Sequence, residues 1–198
     1  MMSDKSLSHP EKWIVIGIPI LFIIGSITHF LYNIFGKSPI AGLFAAVNES
    51  IWEHSKMVLW PVILWWSLYY CFRGKQYGID KNKWFGSALL ALLTPLVAMP
   101  LLYYFYTGAF GVELLWVDIL ILLLALLFGQ LLGLHTYRHS KGINANLVII
   151  IFVMLVLLFM LFTFFPPHIP LFQDSVTGGY GISHKVLTEK LRQNLIIP

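Results

Sequence analysis

The sequence has few charged residues and a single cysteine. Only 11% of its 198 residues are Asp, Glu, Lys or Arg, less than half of the roughly 25% found in an average soluble domain. So little charge cannot solvate the surface of a water-soluble globule, and it also excludes a disordered chain or a nucleic-acid-binding protein. Because Cys71 is the only cysteine, an intramolecular disulfide and a disulfide-stapled secreted domain are excluded.

Short motifs that define well-known catalytic sites are also missing. The sequence contains no GxxxxGK, GxSxG, CxxC or HExxH string. These strings mark phosphate-binding loops, serine hydrolases, redox-active cysteine pairs and zinc proteases. No motif of this kind therefore assigns an activity to the chain.

The sequence contains five long stretches without charged residues. Asp, Glu, Lys and Arg are absent from residues 13–36, 57–72, 84–112, 119–137 and 142–173. A helix needs about 20 apolar residues to cross the hydrocarbon core of a bilayer. We therefore predict an all-α integral membrane bundle that forms a single domain over residues 1–198, with five spans at about 13–33, 57–72, 84–106, 114–134 and 145–165.

The distribution of lysine and arginine among the short loops predicts the orientation. The loop 73–83 carries four of these residues and the loop 135–144 carries two, whereas the turn 107–113 carries none. Basic loops stay in the cytoplasm, so we expect the N-terminus inside and the tail 166–198 outside. The predicted location is the plasma membrane, with the lipid bilayer as a partner and a lipid or a membrane protein as a further candidate partner.

Two segments lie outside the predicted spans. Residues 38–55 begin with a Ser-Pro pair, which is typical of a helix start. They predict a re-entrant or interfacial helix that leads into the second span. The tail 166–198 begins with two prolines that stop the fifth span, and three leucines at helical spacing predict a short surface helix further on: Leu187, Leu191 and Leu195.

Polar residues converge at the outer ends of the spans. Ionisable groups at membrane depth are costly and often mark functional sites. Histidines and carboxylates are also the usual ligands and acid–base groups of zinc enzymes. The sequence predicts candidate ligands for Zn²⁺ or a similar divalent metal at His29, His54 and His168. It predicts candidate catalytic carboxylates at Glu49, Glu53 and Asp118.

The densest polar string is NESIWEHSK at residues 48–56. In a helix, Glu49, Glu53 and Lys56 share one face. This face is either an ordinary solvated charge stripe or a functional face aimed at the centre of the bundle. A like-charge pair of glutamates is tolerated best where a cation, a shared proton or the lysine compensates it.

A second histidine pair lies at the opposite end of the fourth span. His135 and His139 are four residues apart, a spacing that can hold a metal on one helix face. The basic residues beside them are typical of a cytoplasmic helix end, and we favour that structural interpretation.

With NESIWEHSK and the later string FPPHIPLFQD at 165–174, the chain resembles an uncharacterised bacterial family of small multi-pass membrane proteins. Its members carry an N-E-S-x-W-E-H string and a P-P-H-x-P-L-F-x-D tail. The resemblance covers essentially the whole chain and implies a bacterial plasma membrane. It implies no activity.

Two classes of function remain open. One is a metal- or acid/base-dependent hydrolase or transferase that acts on a lipid or a membrane-tethered substrate at the outer face. The other is a non-enzymatic transport, sensor or membrane-assembly component that uses the same polar layer to relay protons or dock a partner. The missing catalytic motifs favour the second class slightly, and the metal content of the purified protein separates the two.

Overall fold

The computed structural model describes residues 6–182, so the predicted surface helix around Leu191 lies outside the described residues. Within that range the chain is helical, and an isolated β-bridge joins Gln173 to Tyr180. The elements, in chain order, are α1 (His9–Ile34), α2 (Pro39–Gly42), α3 (Ile51–His54), α4 (Lys56–Arg73), α5 (Lys81–Phe110), α6 (Leu115–His139), α7 (Ala145–Phe164) and a 3₁₀ turn (Pro170–Phe172). The predicted all-α bundle is confirmed.

Four helices in the described part of the chain are long and apolar enough to cross a membrane, namely α1, α5, α6 and α7. They correspond to four of the five predicted spans. The remaining predicted span, 57–72, lies within α4, which has 18 residues, but α4 is not among those four. Lys56 and Arg73 at its ends and several Trp and Tyr residues between them make α4 less apolar. The count of five spans and the orientation stay predictions.

Local signals in the sequence explain where helices begin and end. Asp80 caps α5, because its carboxylate accepts a hydrogen bond from the backbone N–H of Lys83 at 2.8 Å. Gly111 ends the same helix with a φ of 66°, a left-handed conformation that favours glycine. Helix α7 ends at Phe164, and Phe165 alone separates it from the two prolines that were expected to stop the fifth span.

Helices α5 and α6 form the most extensive helix pair of the bundle. Two glycines of α6 allow the backbones of these two helices to approach each other closely. A Cβ atom added to Gly129 would lie 2.6 Å from the backbone oxygen of Ala91, and one added to Gly133 would lie 2.9 Å from the Ala91 side chain. Small residues at this four-residue spacing are typical of closely packed membrane helices.

The predicted helix over 38–55 is wrong as a continuous element, because only two four-residue helices form there. Side chains between them bind the backbone instead. The side-chain amide oxygen of Asn48 accepts from Ser50 N at 3.0 Å, and the Ser50 hydroxyl accepts from Glu53 N at 3.3 Å. The Glu53 carboxylate also accepts from Val47 N at 3.1 Å. These bonds offer the backbone an alternative to helical hydrogen bonding.

Candidate metal site at one end of the bundle

A buried ion pair fixes the loop that precedes α3. Lys56 Nζ lies 2.6 Å from Glu53 Oε2, and both side chains are almost completely buried. The ammonium also donates to the backbone oxygen of Gly42 at 2.7 Å and to the hydroxyl of Thr163 at 2.6 Å. The predicted catalytic carboxylate Glu53 therefore lies in the interior, where it ties this loop to α4 and α7.

His29, Glu49 and His54 come together from three different segments. His29 lies in α1, Glu49 in the loop after α2, and His54 at the end of α3. Glu49 Oε2 lies 3.1 Å from His54 Nε2, and Glu49 Oε1 lies 3.8 Å from His29 Nε2. The two imidazole rings stack with centroids 5.1 Å apart. The structure thus unites two of the three predicted ligands with one of the predicted carboxylates.

The spacing of this cluster fits a small divalent ion. One ligand atom from each of the three side chains lies within 4.8 Å of the other two. Tetrahedral zinc with bonds of 2.0–2.2 Å needs ligand atoms about 3.3–3.6 Å apart, so the widest separation has to close by at most roughly 1.5 Å. Rotation of partly exposed side chains supplies a movement of that size without backbone rearrangement.

The hydrogen-bonding atoms of this cluster do not all have a partner among the described residues. The Nδ1 atom of His29 is buried and has no hydrogen-bond partner within residues 6–182. Such an atom is costly unless a water, an ion or another group engages it. The hydrogen bond from His54 holds the pKa of the Glu49 carboxyl below its ordinary value, and the nearby His29 adds to this effect. Glu49 is therefore present as a carboxylate, the form that binds a cation.

The remaining two predicted site residues, Asp118 and His168, are not members of this cluster. Asp118, in the first turn of α6, accepts a hydrogen bond from the Tyr106 hydroxyl at 2.7 Å, and it interacts electrostatically with His54. His168 is exposed, and its ring contacts the edge of Tyr180 with centroids 4.6 Å apart. In the described part of the chain, His168 does not belong to the metal-compatible group.

The segment after α7 holds Glu49 in position, through a residue that the sequence analysis did not select. Asp174 accepts hydrogen bonds from Glu49 N at 3.3 Å and Val176 N at 3.1 Å, and a third from the Thr177 hydroxyl. The amide of Asn48 donates to the Gly181 oxygen at 3.2 Å. Asp174 is the last residue of the FPPHIPLFQD string. Its place in that string was the signal by which the sequence could have identified it as a site residue.

A cavity of about 540 Å³ lies beside the cluster. His29 and Glu49 form part of its wall, together with the end of α1 and the loop 174–181. A second cavity of about 310 Å³ lies on another side of Glu49, next to Tyr103 and Tyr104. The candidate metal site is therefore accessible to a ligand from outside the bundle.

The histidine pair of α6 does not form a comparable site. The rings of His135 and His139 stack with centroids 4.4 Å apart, and His139 Nδ1 contacts the backbone oxygen of His135 at 2.9 Å. Among residues 6–182, no further His, Cys, Asp or Glu joins them in a metal-compatible group. Arg138 beside them pairs with Glu11 at 2.6 Å, as expected for an ordinary helix end.

Fold and site together define an all-helical bundle, compatible with a membrane protein, that carries a histidine–glutamate cluster at one end. The chain belongs to the family of unknown function DUF6512, which matches residues 2–182. Neither a curated protein nor a solved structure matches it.

Proposed function

We propose that the chain is a multi-pass protein of the bacterial plasma membrane that binds a divalent metal ion through His29, Glu49 and His54. The observation that carries this proposal is the convergence of three ligand atoms from three segments within 4.8 Å, beside an open cavity. Zinc is the first candidate. Two histidines and one glutamate are a known donor set of catalytic zinc sites, which keep one position open for water or substrate.

The activity that such a site supports best is hydrolysis or group transfer on a lipid or a membrane-tethered substrate at the extracytoplasmic face. Bound zinc supplies a nucleophilic water at neutral pH and polarises a carbonyl or phosphoryl oxygen. The chain supplies the neutral ligands His29 and His54 and the charge of Glu49, which offsets part of the charge on the ion. Asp118 adds a further negative charge that interacts electrostatically with His54.

Metal analysis of the purified full chain in detergent tests this proposal. We expect about one zinc ion per chain, as for a structural or catalytic site, and its loss after His29→Ala or His54→Ala. His168→Ala is the matched control, because it removes an exposed histidine outside the cluster. A chain without stoichiometric metal, or equal losses in all three variants, contradicts the assignment.

One observation favours a second candidate, a non-enzymatic transport, sensor or assembly component. His54 Nε2 and Glu49 Oε2 already lie 3.1 Å apart, a distance at which a proton can pass between them without a metal. In this case the purified chain contains no bound metal, and a chelator leaves its thermal stability unchanged. Glu49→Gln then abolishes pH-dependent transport or docking.

A further inference from the structure

The cavity beside the candidate metal site has a wall rich in hydrogen-bond donors. Tyr32 and Asn33 at the end of α1, and Lys37 just after it, all line this cavity. None of the three side chains has a hydrogen-bond or ion-pair partner among the residues that the structure describes. Tyr32 is only 5% exposed as a residue, whereas Asn33 and Lys37 are exposed, and all three border the cavity.

Lys37, which lines this wall, has an unusual backbone conformation. Its φ is 55°, a left-handed value that is uncommon for residues other than glycine and asparagine. The backbone N–H of Lys37 donates to the Tyr32 oxygen at 2.8 Å, which closes the end of α1. Strained positions of this kind often occur at ligand-binding sites. Lys37 has such a conformation and also lines the cavity.

The acceptors that line the cavity are largely occupied. The Asp174 carboxylate accepts three hydrogen bonds from its own loop and from Glu49 N. The side-chain amide oxygen of Asn48 accepts from Ser50 N. Glu49 faces the two histidines and becomes a metal ligand in the proposed function. The groups left for a ligand include the Tyr32 hydroxyl, the Asn33 amide and the Lys37 ammonium, and together with the metal of the proposed function they favour an anion with several oxygen atoms.

The position of the cavity at one end of α1 suits a lipid phosphate. It opens at the end of α1, one of the four helices long enough to span a bilayer. The ends of spanning helices lie at the level of the lipid headgroups. A phosphate presents more acceptor oxygens than a carboxylate, and so it can engage the three donors and the metal together.

We propose that this cavity binds the phosphate group of a membrane lipid, with Tyr32, Asn33 and Lys37 as its donors. The inference rests on the proposed function, because it places the phosphate beside the metal held by His29, Glu49 and His54. It names the substrate class of that site as a phosphate ester. A free phosphate carries the same chemistry, so the experiment has one arm for each source.

The test measures phosphate binding by the full chain in dodecyl maltoside, loaded with zinc, using ³¹P NMR or calorimetry. One arm uses a short-chain phosphatidic acid and the other uses inorganic phosphate and glycerol phosphate. We expect Lys37→Asn to weaken binding about tenfold, as for loss of one charge-assisted hydrogen bond. Asparagine is chosen because it tolerates a positive φ. Tyr32→Phe, which removes a neutral donor, weakens binding about fivefold.

Lys75→Asn is the matched control, since Lys75 is exposed and lies in the loop between α4 and α5, away from the cavity. Tighter binding of the lipid than of the soluble phosphates supports a lipid source, and equal binding supports the phosphate assignment with a soluble source. The inference is overturned if no phosphate binds, if a fatty carboxylate binds as well, or if Lys37→Asn and Lys75→Asn have equal effects.

Metal content measured on the same samples separates this inference from the proposed function. A chain that holds zinc but shows no Lys37-dependent binding overturns the phosphate assignment and leaves the metal site intact. A chain that binds phosphate through Lys37 without metal supports the phosphate assignment and overturns the metal site.

Discussion

Glu49 and Asp174 are 125 residues apart in the sequence, but the backbone N–H of Glu49 donates to the Asp174 carboxylate at 3.3 Å. The same carboxylate orders its own loop through Val176 and Thr177. The segment after α7 is thereby connected to the loop that presents the central member of the histidine–glutamate cluster. Asp174 is a positioning residue for this site.

We therefore expect Asp174→Asn to lower zinc affinity by about tenfold, the lower end of the effect seen when a group that orients a ligand is lost. Zinc titration of the full chain in detergent measures this change. Asp80→Asn is the control, because Asp80 caps α5 through Lys83 N and its loss affects stability without touching the cluster. If both variants lower zinc affinity equally, Asp174 has only a structural role.

The buried pair of Lys56 and Glu53 gives a prediction about stability. Removing one partner of a buried ion pair leaves an uncompensated charge and costs about 3–5 kcal/mol. Lys56→Met should therefore destabilise the chain strongly, whereas Lys56→Met combined with Glu53→Leu should cost less than the single change. Thermal or denaturant unfolding in detergent measures both. A double variant that is less stable than Lys56→Met contradicts this account of the pair.

The sequence predicted the helical class, the helix-stopping prolines and a polar layer of six site residues, of which His29, Glu49 and His54 come together. These predictions depend on hydropathy and on depth along a helix, both of which are local properties. The surroundings of Glu49 and Glu53 could not be predicted in the same way. On a continuous helix they share one face, but the side-chain bonds of Asn48 and Ser50 interrupt the helix, so that Glu53 meets Lys56 while Glu49 meets the histidines.

Long-range pairing was equally inaccessible from the sequence. The sequence left Lys56 open between a solvated stripe and a functional face, because nothing near it in the sequence shows that α7 brings Thr163 to its ammonium at 2.6 Å. Asp174 lay in a recognised string, but its contact with Glu49 depends on how the segment after α7 folds back across the bundle. A single sequence carries little information on contacts of this range.

The hydrogen bond between Glu49 and His54 predicts a pH dependence. The pKa of the Glu49 carboxyl lies below its ordinary value of 4.5 because of this bond. The folded state thus favours the carboxylate, and this contribution to stability is complete above the ordinary pKa and is lost as the pH falls through the lower folded value. The stability difference between the native chain and Glu49→Gln should therefore shrink below pH 4.5. A difference that grows there contradicts the bond.

Gly129 gives a prediction about the packing of α6 on α5. A Cβ atom at this position would lie 2.6 Å from the Ala91 oxygen and 2.7 Å from Pro95, so Gly129→Ala forces the two helices apart and costs about 1–3 kcal/mol. Gly108→Ala is the matched control, because no atom lies within 4 Å of a Cβ atom added there. Unfolding in detergent should show a loss for Gly129→Ala alone, and similar losses in both variants would contradict the close approach.

The orientation of the site in the membrane can be tested with two cysteine variants. The distribution of basic residues predicts that the loop between α4 and α5 is cytoplasmic and that the segment after α7 is outside. In a Cys71→Ser background, we expect Val176→Cys to react with an impermeant maleimide added to intact cells. Lys75→Cys should react only after the cells are opened. Both positions are exposed, so access to solvent within the fold does not limit the reaction. Labelling of Lys75→Cys alone in intact cells would place the histidine–glutamate cluster at the cytoplasmic face, where a metal-dependent activity on the outer leaflet is impossible.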